Sequence, residues 1–275
     1  MEKTKIDWAD SSWNPVTGCR HNCPYCYAGK IAHRFSGGGE NWCENDDIHI
    51  LDDKIYGTDG ENGKADPYPY GFQPTLHRYR LGEYENKKER TIFVCSMADL
   101  FGEWVPDEWI EEVFSACKKA PQHKYLFLTK NPERYIELYH KGMLPAADNM
   151  YYGSSVTDKK GLQRFEKEFR CIPSTFRTFA SIEPLLEDIT EAEEWDDIVK
   201  SRYADWIIVG AETGNRKNKV VPDWRWIKSI EYSCWENNIP LFMKGSISGI
   251  PMAGELVQEY PWDTFSHSEG GKSIG

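Results

Sequence analysis

The sequence predicts an α/β fold, a partial (β/α) barrel of six or seven parallel strands. Three observations lead there. From residue 91 onward, short apolar runs alternate with amphipathic ones. The apolar runs are continuous and rich in β-branched and aromatic residues, as in strands covered on both faces. No G-x-G-x-x-G follows the first strand, so the main signature of an open dinucleotide-binding sheet is missing. Strict strand–helix alternation implies parallel pairing with right-handed crossovers. The chain's 275 residues suit a barrel, which commonly runs to ~250 as one domain.

The elements follow in order. Residues 91–97 read as a buried strand, and Pro106-Asp107 opens a helix to about Lys119. Residues 124–129 form the next strand. Asn131 is the expected cap of the following helix, with Pro132 at its first position. Residues 150–156 are a strand, and Leu162, Phe165, Phe169 and Ile172 mark one helix face. Residues 177–182 are a strand, the acidic stretch 187–200 a helix, and residues 206–210 a strand. Asp223 caps a helix to about Asn238, and residues 239–243 end the series. A further strand before Cys19 raises the count to seven.

The expected organisation is one barrel domain over residues 1–250, with an irregular insertion at 36–90 and a fraying C-terminal tail at 251–275. Gly37-Gly38-Gly39 falls in a loop after a helix and is not read as phosphate-binding. No apolar run reaches the ~18 residues of a membrane span, and the N-terminus lacks an apolar signal region; a cytoplasmic protein without membrane attachment is expected. The net charge of −11 weighs against general coating of nucleic-acid backbone. The 11 Trp and 15 Tyr are expected mainly in the core, with stacking on a base the minority role. Nothing in the sequence sets the oligomeric state.

Of eight cysteines, three cluster: Cys19, Cys23 and Cys26, spaced C-x3-C-x2-C with Tyr25 before the third. Cys95, Cys117, Cys171 and Cys234 are expected as buried small hydrophobes, Cys234 sharing a helix face with Trp226 and Ile230; Cys43 sits in a loop. Clustered thiols in a reducing compartment point to metal or catalysis. Zinc would need a fourth ligand such as His21, His33 or Cys43. A [4Fe–4S] cluster accepts three protein thiolates if an external ligand takes the fourth iron. In a β/α barrel, reactive groups lie at the carboxyl ends of strands. Those ends carry Asp99, Thr129 with Lys130, Ser154 with Ser155, Glu183, Glu212 and Lys244. Glu183 and Glu212 suit an ammonium group or ribose hydroxyls, and Lys130 and Lys244 a carboxylate or phosphate. His77 and Arg80, in the ordered-looking stretch 72–80, are the expected substrate cover.

Cys19, Cys23, Tyr25 and Cys26 match the C-x3-C-x-aromatic-C motif, and the chain thereby resembles the radical S-adenosylmethionine (SAM) superfamily. Over roughly residues 6–244 it is similar to an uncharacterised, often phage-encoded three-cysteine-motif group. The shared landmarks are Ile6-Asp7-Trp8, Trp13 to Cys19, Pro74 to His77, Ser96 to Phe101, Leu128 to Arg134, Ser181 to Leu185 and Val209 to Gly214. The resemblance implies a [4Fe–4S] cluster on the three cysteines, with SAM on its open iron. It also implies a flavodoxin- or ferredoxin-like electron donor, and a 5′-deoxyadenosyl radical that takes hydrogen from a substrate. Tyr25 is implied near the adenine, and Asp99, Ser154, Glu183 and Glu212 as cofactor-site residues. One departure stands out: where the superfamily has a Gly-Gly-Glu-like segment, this chain reads Ser96-Met97-Ala98-Asp99. The substrate expected is a nucleotide, nucleic-acid base or DNA lesion. The alternatives are a peptide-modifying enzyme and a non-enzymatic, zinc-stabilised nucleic-acid-binding protein.

Overall fold

Strand–helix alternation runs unbroken from residue 91 to residue 243. The computed structural model describes residues 4, 6–36, 47–56, 65–214, 216–251 and 254–264. Two compact units divide the chain, Met1–Pro145 and Ala146–Gly275. Seven parallel strands, three in the first unit and four in the second, give the α/β class with the order of a partial (β/α) barrel.

In the first unit β1 (Ser11–Trp13), β5 (Thr91–Val94) and β6 (Lys124–Thr129) pair in parallel, with Trp13 opposite Val94 and Phe93 opposite Leu126. β2 (Val16–Thr17), β3 (His49–Leu51) and β4 (Thr75–His77) form a second small sheet, β2 antiparallel and β3 parallel to β4. The expected irregular insertion therefore holds two strands, because Thr75, Leu76 and His77 are all buried and their backbone groups need ladder partners. Helix α1 (Tyr27–Phe35) follows the cysteine run. Helix α2 (Asp107–Lys119) has acids in its first turn and lysines in its last, which suits the helix dipole. Its buried face of Trp109, Ile110, Val113, Phe114 and Cys117 gives up to about 1.5–3 kcal/mol per large side chain. Helix α3 spans Glu133–His140.

The second unit carries β7 (Met150–Ser155), β8 (Arg177–Ile182), β9 (Ile207–Val209) and β10 (Leu241–Met243), each parallel to the next. Helices α4 (Lys159–Phe169), α5 (Glu193–Lys200) and α6 (Trp224–Glu236) connect them. Asp158 caps α4 through the Gly161 amide at 2.7 Å, and Asp223 caps α6 through the Arg225 amide at 2.9 Å.

Several local expectations are corrected. β5 stops at Val94, and Cys95 turns the chain in the left-handed region at φ 59°. Pro132 takes the cap position of α3, while the Asn131 amide donates to the Phe101 carbonyl at 3.0 Å. Residues 187–192 precede α5 as turns, because Asp188 bonds locally to Thr190. Cys171 is exposed, and the buried stripe of α6 is Ile227, Ile230 and Cys234 without Trp226. Part of the tail is built in: the Glu259 amide donates to the Leu241 carbonyl at 2.9 Å, and helix α7 spans Pro261–Thr264. Trp8, Trp13, Trp109, Trp195 and Trp206 are buried, so much of the aromatic content serves packing. Among the described residues no helix is long and apolar enough to cross a membrane. Gly37 to Gly39 and Cys43 lie outside the described residues.

Candidate metal centre

The cysteine run begins at a glycine the backbone requires. Gly18 has φ +88°, and a Cβ there would lie 2.2 Å from the Gln73 carbonyl oxygen. Its amide donates to the Met97 carbonyl at 2.9 Å, and it bridges to Ala98. The Cys19 amide donates to the Phe72 carbonyl at 3.3 Å. The loop thus starts pinned between the turn after β5 and the approach to β4.

It ends at a helix N-terminus. The Cys26 amide donates to the Cys23 carbonyl at 3.0 Å, closing a turn. Cys26 is the N-cap of α1, its sulfur accepting from the Gly29 amide at 3.4 Å. Cys19, Cys23 and Cys26 are all half-buried and outside any disulfide. Burial pushes the Cys19 thiol up to about 12, and Asp99, Cys23 and Cys26 add to it. Burial also raises the Cys23 thiol, while the Lys130 ammonium pulls it down. Among the described residues, no group of three or more His, Cys, Asp and Glu side chains is arranged to hold a metal ion.

Asp99 ties the loop to the strand ends. Its Oδ1 accepts from the Thr129 hydroxyl at 2.7 Å and the Phe101 amide at 3.1 Å. Its Oδ2 accepts from the Lys130 amide at 2.8 Å and pairs with His21 Nε2 at 2.7 Å. Asp99 is only 5% exposed, and all four contacts are within the chain. Its place is that of an anchor holding His21 of the loop against the end of β6. His21 also packs edge-on to Trp104, the ring centroids 4.9 Å apart. Lys130 places its ammonium 5.8 Å from the centre of the Tyr25 ring. Lys130 and Tyr25 are therefore neighbours at the cysteine loop. His33 lies in the last turn of α1, seven residues or about 10 Å of helix beyond Cys26.

His77 and Arg80, the expected substrate cover, are both engaged within the chain. His77 is 0% exposed, and both ring nitrogens have partners: Nε2 the Thr17 hydroxyl at 2.8 Å, Nδ1 the Tyr79 hydroxyl at 3.3 Å. Burial, with Arg80 nearby, lowers its pKa to about 3, so it is neutral. Arg80 donates to the carbonyls of Asn14 at 3.0 Å and Pro67 at 3.3 Å, bracing backbone.

The second unit holds the remaining predicted residues. Ser154, one residue before the end of β7, is buried at 3% exposure. Glu183 and Lys244, just past β8 and β10, are paired Oε1 to Nζ. Between these strands, β9 leads into Gly210, where a Cβ would meet Lys244 Cδ at 3.0 Å and Glu183 Cγ at 3.3 Å. A side chain there would crowd the pair. Glu212 is gripped at both oxygens by Arg216, Nε to Oε1 at 2.6 Å and an η-nitrogen to Oε2 at 2.7 Å. That bidentate pairing lowers the Glu212 pKa. Sequence reasoning missed Gly18, Gly210 and Arg216. For the glycines the available signal was a glycine beside each functional run; Arg216 had none.

A family profile described as "Protein of unknown function (DUF5131)" matches residues 3–252, and the chain belongs to that family. No curated protein and no solved structure matches it.

Proposed function

We propose that this member of the family is a radical SAM enzyme whose metal centre is confined to first-unit residues. The observation that carries the reading is one loop presenting three half-buried thiols in the C-x3-C-x-aromatic-C order, with the third at a helix N-terminus. Cys19, Cys23 and Cys26 would hold a [4Fe–4S] cluster; soft thiolate donors suit it. The three thiolates would each take a separate iron of such a cluster, so a single shared metal point is not required of them. When bound, the cluster's chemistry is transfer of one electron from a flavodoxin- or ferredoxin-like donor into the C5′–S bond of SAM, yielding methionine and a 5′-deoxyadenosyl radical that takes a hydrogen atom from substrate.

The chain's own contribution is placement. Gly18 and the Cys26 cap fix the two ends of the loop, and Asp99 fixes its middle through His21. Tyr25 offers a ring face for adenine, with Lys130 alongside. The substrate proposed is a small or locally held nucleotide, nucleic-acid base or DNA lesion; the net charge of −11 favours this over a long duplex.

Anaerobic reconstitution is the test. The expected result is a brown protein with about four irons per chain that forms 5′-deoxyadenosine from SAM and a reductant. Stoichiometric zinc without iron-dependent absorption overturns the reading in favour of a zinc-stabilised binding protein. Product formed on peptides but on no nucleotide or nucleic acid overturns the substrate class alone.

A further inference from the structure

Two opposite charges are tied to the cysteine loop. The Asp99 carboxylate holds His21 of the loop. The Lys130 ammonium lies over Tyr25 of the same loop. The arrangement is built. Asp99 Oδ2 accepts both the Lys130 amide, at 2.8 Å, and His21 Nε2, at 2.7 Å. One carboxylate oxygen therefore fixes the start of the Lys130 side chain relative to the loop. From there the side chain reaches back over Tyr25, the residue between Cys23 and Cys26, its ammonium 5.8 Å from the ring centre. Lys130 is half-buried, so its charge is screened less than that of a surface lysine.

We propose that Lys130 is a positioning and charge-tuning residue of the metal centre, held over Tyr25 so that its cation stabilises the more negative, reduced state of a cluster on Cys19, Cys23 and Cys26. This rests on the radical SAM reading. The physical reason is that accepting an electron adds negative charge to an anionic centre, and a fixed cation nearby lowers the cost. The potential of an iron–sulfur centre follows its net charge and surroundings. Asp99 is present in wild type and in every Lys130 variant, so its opposing charge drops out when their potentials are compared.

The experiment uses the full chain, reconstituted anaerobically, with iron and sulfide assays and an EPR-monitored redox titration of wild type, K130R, K130Q and K130E. The expected midpoint potential of K130R is close to wild type. K130Q shifts to lower potential, and K130E shifts further in the same direction, by about twice as much for twice the charge change. Iron content stays at the wild-type level in K130R and K130Q. A K130Q midpoint equal to wild type, with the cluster intact, overturns the assignment while leaving the radical SAM reading in place. Loss of the cluster from K130Q and K130R alike is a packing effect and also overturns it. Loss from K130Q with K130R fully loaded means that the cation is needed to hold the cluster and not to set its potential, and it too overturns the assignment. Wild type without iron and sulfide overturns the reading on which the inference stands, and the metal assay separates that case from the others.

Discussion

The two units use polar side chains at strand ends in different ways. In the first, Asp99 accepts four hydrogen bonds from groups spread over the cysteine loop, its own turn and the end of β6. In the second, each of two carboxylates is ion-paired with one cation, Glu183 with Lys244 and Glu212 with Arg216. A hub orders backbone and loop together. A one-to-one pair neutralises charge locally and constrains little else, and it contributes modestly when part-exposed. The first unit's strand-end carboxylate therefore orders a loop, and the second unit's compensate single cations.

The largest expected effect breaks the first unit's side of this contrast. Cys23→Ala should lose the cluster altogether, taking iron from about four per chain to background in a metal assay; full retention of iron would refute the ligand assignment. Next comes D99A, which strands the Thr129 hydroxyl, two backbone amides and His21. Removing a buried charged acceptor of this kind should cost about 3–5 kcal/mol in denaturant unfolding. A cost near the exposed-pair level would mean that Asp99 is no hub. G18A asks whether the loop's entry is as tight as its φ of +88° and 2.2 Å approach imply; a loss of about 1–3 kcal/mol is expected.

His77 sharpens the picture of the small sheet through pH. Its folded value of about 3 lies below the ordinary 6.5. Between these values the unfolded chain binds the extra proton. Stability should therefore fall as pH drops from about 6.5 towards 3, and this contribution should be constant above that window. The slope is at most about 1.4 kcal/mol per pH unit for one proton. H77Q should remove that part of the slope in unfolding measured at several pH values, and an unchanged slope would show that His77 is not buried neutral. The smallest effect belongs to the second unit. E183Q should cost about 1 kcal/mol and leave iron content at the wild-type level; loss of iron would erase the contrast between the units.

Much of the fold was legible in sequence. β6 and β8 match their predicted ends, and α2 matches from Asp107 to Lys119. A continuous β-branched run has one way to satisfy its backbone, and an amphipathic stripe with acids first and lysines last has one face to bury. The misses share a cause. Residues 75–77 read as ordered but not as a strand, because a three-residue strand has no periodicity; only β2 and β3 beside it make it a strand. Cys95 read as part of a strand because its apolar character carries no sign of a left-handed turn.

The candidate centre divides in the same way. The sequence by itself determined which thiols belong together, since C-x3-C-x2-C keeps them on one short loop whatever surrounds it. It also determined that acids and lysines recur after strands, where parallel α/β folds gather polar ends. Only the tertiary structure decided what each of those groups does. His77 and Arg80 have the chemistry of ligand-binding residues, yet burial and backbone carbonyls claim them. Asp99 and Lys130 lie some 75–110 residues beyond the cysteines in sequence, and hydrogen bonds bring them to the loop. Spacing along a chain constrains neighbours within a few residues. Which distant donor meets which acceptor depends on the packing of whole strands.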